Sequence, residues 1–79
     1  MAMSVPSKSN KTWTDIVTGK KTYQLKFLAA KILLGRLTHA VKDDPSPGNI
    51  QKSIDQLHAL FSKNAHMPNV QEDIKTIFG

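Results

Sequence analysis

A chain of 79 residues without cysteine has room for one domain, and neither a disulfide nor a thiolate-held metal can brace its core. Its net charge of +5 is unevenly spread: over residues 1–42 eight cations face only Asp15, an excess of +7, whereas residues 43–79 carry −2. That asymmetry points to an anionic partner such as nucleic acid, an anionic membrane or an acidic protein. The longest apolar runs, 27–30 and 32–34, are too short for a secretory signal or a bilayer span, and the absence of cysteine fits an intracellular, cytoplasmic protein.

Residues 1–11 are Ser, Lys, Asn and Pro with little to bury, so a disordered basic tail is expected there, followed by a single helical domain over 12–79. Thr12-Trp13-Thr14-Asp15 has the pattern of a helix start with Thr12 as its cap. Gly19 suits the left-handed residue just past a helix end. Ile16 and Val17 are β-branched, which predicts a short turn over 12–18 docked by Trp13.

The spacing next predicts a long helix over about 20–42. Tyr23, Phe27, Ala30, Leu34, Leu37 and Val41 recur at intervals of four and three and share one face. Asp43-Asp44-Pro45-Ser46-Pro47-Gly48 stops it, because proline cannot continue the hydrogen-bond ladder. A second helix over about 48–63 has Ser46 as cap, Pro47 at its first position and a stripe of Ile50, Ile54, Leu57 and Phe61. A third, over 69–78, carries Val70, Ile74 and Ile77 and opens on Asn69 with Glu72 three residues on, a capping box. No strand pattern or repeat competes. The expected fold class is all-α, a small bundle of three main helices plus the N-terminal turn.

The long helix is too apolar for one buried face. Leu25, Leu28 and Ile32 fall nearly opposite the first stripe, with Ala29, Leu33 and Ala40 between. Either the rest of the chain wraps both faces or this second face meets another copy. The expectation is a symmetric homodimer with Leu25, Leu28 and Ile32 at its interface, which doubles the burial open to so small a chain.

Little points to catalysis. His39, His58 and His66 are not paired at the spacing that sets two ligands on one helical face. No phosphate-binding glycine loop, nucleophile elbow or carboxylate–histidine cluster is visible. A non-enzymatic protein without metal, cofactor or small-molecule substrate is therefore expected. The segment KFLAAKILLGRL has the composition of an interfacial membrane helix, but the polar strip of the long helix (Lys20, Gln24, Lys31, Gly35, Thr38 and Lys42) is narrow, which disfavours a membrane role.

Nucleic acid fits the charge better. Lys20, Lys31 and Lys42 recur every 11 residues, about 16 Å on a helix. Lys52, Gln56 and Lys63 likewise share the polar face of the next helix. Spaced lysines track phosphates rather than base edges. The aromatic residues form no stacking platform, and no helix carries the Arg, Asn and Gln of a sequence reader. A shape reader of duplex RNA suits the pattern.

The stretch NIQKSIDQLHALFSK, residues 49–63, resembles a helix of the small viral suppressors of RNA silencing found in nodaviruses. The likeness lies in its Asn and Asp, the Leu-His-Ala run and the closing Lys. The resemblance implies a helical homodimer whose basic face lies along double-stranded RNA and shields it from dicing, with Lys52 and Lys63 towards the RNA. This chain departs from that pattern at 64–68, where its helix is expected to break and the family's continues. The candidate nucleic-acid-binding residues are thus Lys20, Lys31, Arg36, Lys42, Lys52 and Lys63, with Lys26 secondary. The alternative is a helical protein–protein interaction or oligomerisation module that docks an amphipathic helix on its surplus apolar face.

Overall fold

A computed structural model describes residues 4–79 as an all-helical bundle: α1 (Lys11–Val17), α2 (Leu28–Asp43), α3 (Pro47–Lys63) and α4 (Pro68–Phe78). Residues 1–3 of the expected tail lie outside the described residues. The remainder of that tail is engaged. Val5 packs on the core, the Pro6 carbonyl accepts from the Trp13 indole N–H at 3.3 Å, and Lys8 meets Asp55 at 3.3 Å.

Helix α1 starts slightly earlier than expected because Asn10, not Thr12, is its cap: the Asn10 side chain accepts from the Thr12 amide at 2.9 Å. It ends as Gly19 predicts. Gly19 has φ +76°, its N–H donates to the Ile16 carbonyl, and the Lys20 N–H reaches back to Asp15. Those two bonds close a Schellman turn, in which glycine alone takes the left-handed geometry without strain.

That turn redirects the chain and delays the next helix. The helix expected from residue 20 does not begin until Leu28, and residues 20–27 run without regular structure. Within them burial alternates: Tyr23, Leu25 and Phe27 face inward while Gln24 and Lys26 are exposed. That is the period of an extended chain, not of a helix. Leu25 is therefore buried in the chain's own core rather than on an interface with Leu28 and Ile32.

The start of α2 is fixed from the far end of the sequence. Phe27 supplies no side-chain cap; instead the buried carboxylate of Asp73 on α4 accepts from the Lys26 amide at 2.7 Å and the Phe27 amide at 2.9 Å. A carboxylate there also lies at the positive end of the helix dipole. The adjacent Glu72 pairs with Lys26 Nζ at 3.0 Å. Glu72 is thus occupied with the segment before α2, and the capping box expected at Asn69 does not form. Helix α4 opens on Met67 with Pro68 at its first position.

Between α2 and α3 the expected stop holds. Ser46 caps α3, and the Asn49 side-chain amide donates to the carbonyls of Ala40 and Asp44, tying the two helix ends together. The core lies among all four helices. Ala30 and Leu37 of α2 meet Ile54, Leu57 and Phe61 of α3, with Val70, Ile74 and Ile77 closing from α4. Trp13 is fully buried at the centre, its ring 4.9 Å from Phe78, 5.4 Å from His58 and 5.8 Å from Phe61. Among the described residues no buried side-chain polar atom lacks a partner.

Asp73→Ala leaves two amides of the α2 start without their charged acceptor, so it should cost about 2 kcal/mol and lower the thermal midpoint by roughly 10 °C. Glu72→Ala removes only an exposed ion pair and should cost about 0.5 kcal/mol or less. Equal losses in the two variants, read by urea and thermal unfolding, would refute the cap.

Candidate nucleic-acid interface

Lys20, Lys31, Arg36, Lys42, Lys52 and Lys63 are all exposed, but the late start of α2 divides them into separate strips. Lys20 stands on the turn after α1 rather than in line on the helix. Lys31 and Lys42 keep their places on α2, about 16 Å apart. Arg36 lies roughly 130° round the same helix from that pair. On α3, Lys52 and Lys63 flank the exposed Gln56 and Ala59, turned away from the buried Ser53, Ile54, Leu57 and Phe61.

The Lys31–Lys42 row forms one wall of a groove. The opposite wall is the turn at 18–23, which brings in Lys21. Two cavities of about 520 and 200 Å³ adjoin there and share Gly19, Gly35 and Thr38. Lys21 had no place among the expected site residues. The cue was the Lys20-Lys21 pair directly behind Gly19: a Schellman turn swings both lysines clear of α1 and beside its neighbour.

Ion pairing decides which cations remain available. Among the described residues, Lys8 pairs with Asp55, Lys26 with Glu72, and His39 approaches Asp43 at 3.6 Å. No ion pair among those residues takes Lys20, Lys31, Arg36, Lys42, Lys52 or Lys63. Lys26, a secondary candidate, is already occupied. On α3 the one carboxylate near the lysine strip, Asp55, is held below the ordinary aspartate range, first by a hydrogen bond from the Gln51 side-chain amide; desolvation, next in size, opposes the shift, and Lys8 and His58 add to it.

The surplus apolar face has contracted. With Leu25 buried and Leu33 packed on the core, Leu28 at 65% and Ile32 at 51% exposure are the large apolar side chains left in solvent. They sit one turn apart on α2. Among the described residues no helix is long and apolar enough to cross a membrane, and no group of three or more His, Asp or Glu is placed to hold a metal ion.

Comparison with known proteins gives no match: no family model, no curated protein and no solved structure matches the chain.

Two outcomes are expected. Leu28→Glu with Ile32→Glu should leave the chain folded with a nearly unchanged helical signal, since exposed positions shift the stability of a single chain by about 0.5 kcal/mol or less; loss of folding would mean that the face belongs to the core. Because the Asp55 carboxyl is depressed in the folded state, its contribution is complete above the unfolded aspartate value and is lost as pH falls through the lower folded one. Acid titration of stability should therefore be shallower below about pH 4 in Asp55→Asn than in the parent.

Proposed function

We propose that this chain is a non-enzymatic nucleic-acid-binding protein that holds double-stranded RNA through its phosphates and acts as a suppressor of RNA silencing. The observation that carries the reading is that exposed cations are left without an ion-pair partner among the described residues, including Lys31 and Lys42 beside the α2 groove, Lys20 on the turn after α1, Arg36 on α2, and Lys52 and Lys63 on α3. Unpaired surface lysines on rigid helices are the groups that displace counterions from a nucleic-acid backbone.

Duplex RNA is favoured over a sequence-specific site because neither strip carries the Arg, Asn and Gln cluster that reads base edges. The resemblance of residues 49–63 to the nodavirus suppressors supports the same choice, with Lys52 and Lys63 towards the RNA. The proposed working form is a cytoplasmic homodimer joined through Leu28 and Ile32. Exposed Ala29 and Ala40 of α2 extend that face, which is still smaller than the roughly 800 Å² per partner of a standard interface.

A second reading is favoured by the exposure of Leu28 itself. A helical interaction module would bury that side chain and Ile32 against an amphipathic helix of another protein.

Titration of an RNA duplex of about 20 base pairs, the matching DNA duplex and the single strand at two salt concentrations tests the proposal. Tighter, salt-sensitive binding of the RNA duplex is expected. Lys31→Ala, Lys42→Ala, Lys52→Ala and Lys63→Ala should each weaken binding for every sequence and reduce the salt slope by about 0.9 per lost contact. Equal weak binding to all three nucleic acids would count against it.

A further inference from the structure

Gly35 is the anomaly of α2. It sits in mid-helix, where glycine weakens the element relative to alanine, yet beyond its chain neighbours and the backbone of its own helical turns no atom lies within 4 Å of the place a Cβ would occupy. Packing inside the chain does not require it. Gly19, facing it across the groove, is equally open. The two glycines form the waist shared by the two cavities, so a molecule lying in the groove can approach backbone on both sides there.

The lining narrows the chemistry of that molecule. Lys21 and Lys31 border one cavity and Lys42 the other, and no Asp or Glu lines either. The floor is apolar: Ile16, Leu25 and Leu34 at one end, Val41 and Ile50 at the other. The hydroxyl of Thr38 donates to the Gly35 carbonyl and that of Thr18 to the Thr14 carbonyl, so both single protons are spent within the chain. What these side chains offer a ligand is acceptor lone pairs.

Lysines that donate beside threonines that accept match a ligand carrying both carboxylates and N–H donors. An RNA strand carries one backbone donor per residue, its 2′-hydroxyl, and Tyr23 and His39, one in each cavity lining, fall short of a platform on which successive bases could stack. A peptide has one N–H per residue. Its alternate side chains point to opposite sides, so apolar residues can face the floor while acidic ones face the lysines. The separation of roughly 16 Å between Lys31 and Lys42 corresponds to about five residues of extended chain.

We propose that the groove between α2 and the segment 18–25 binds an extended acidic peptide segment of a partner protein, its backbone crossing Gly35, its apolar side chains on the Ile16–Leu34 and Val41–Ile50 floor, and its carboxylates at Lys21, Lys31 and Lys42. This site is additional to the proposed RNA surface but shares Lys31 and Lys42 with it. Peptide and RNA therefore compete.

The test is fluorescence polarisation with a labelled peptide of about nine residues alternating Glu and Val, against Lys–Val and Glu–Ser peptides of the same length. The Glu–Val peptide should bind at least about tenfold tighter than either control. Gly35→Met fills the waist with a good helix former and leaves every lysine in place. It should weaken the peptide about tenfold or more, with an unchanged or raised thermal midpoint and unchanged RNA titration. Thr38→Val, which removes an acceptor without changing charge, should weaken the peptide as well and gives a second reading if Gly35→Met fails to fold. Equal binding of Glu–Val and Glu–Ser peptides, or undiminished peptide binding by Gly35→Met, would overturn the proposal. So would a labelled RNA strand whose binding is lost in Gly35→Met while the peptide does not bind. Failure of RNA binding in the parent protein, with peptide binding intact, would fault the RNA reading alone.

Discussion

The Asp73 carboxylate holds this fold at a point where no local sequence could. Helix α2 is one wall of the bundle, and its first turn has no side-chain cap of its own. The amides of Lys26 and Phe27 are satisfied only when α4 has docked and presented Asp73, 46 to 47 residues away. Burying a carboxylate is costly unless hydrogen bonds meet it, and here the acceptor and the orphan donors answer each other. The register of α2 depends on that closure. So do the depth of Leu25, the exposure of Leu28 and the position of Lys31 on the groove.

Much of the architecture was legible because it rests on local chemistry. Ser46 with Pro47, the proline-rich stop before it and the Ile54–Leu57–Phe61 stripe fix α3 with no help from distant residues. Gly19 announces the end of α1 for the same reason. The start of α2 was not legible, and the cause is arithmetic. Tyr23 and Phe27 are four residues apart, a spacing that satisfies a helix and an alternating extended chain equally. Leu25 between them decides the matter for the extended form, because it completes an inward row that a helix would scatter. Asn69 misled for a related reason: Pro68 claims the first helical position, and Glu72 is drawn to Lys26 across the bundle.

The candidate site was legible in its residue types and not in its arrangement. Lys31 and Lys42 stay in register because both lie inside α2. Lys20 leaves their line because the turn after α1 intervenes, and Lys21 enters in its place on the groove. A lysine row read on one continuous helix is thus replaced by a helix wall facing a loop wall. The difference matters chemically, since a flat row addresses a broad polyanion whereas two facing walls select something narrow enough to lie between them.

Trp13 gathers both ends of the described chain. The Pro6 carbonyl accepts its indole proton, and the Phe78 ring lies 4.9 Å from its centre. Residues near both ends of the described chain therefore contact a single buried ring system. A few flexible residues would join them. The backbone could then be closed into a ring and reopened elsewhere, so that chain order, unlike the docking of α1 and α4 on that indole, is dispensable to the shape.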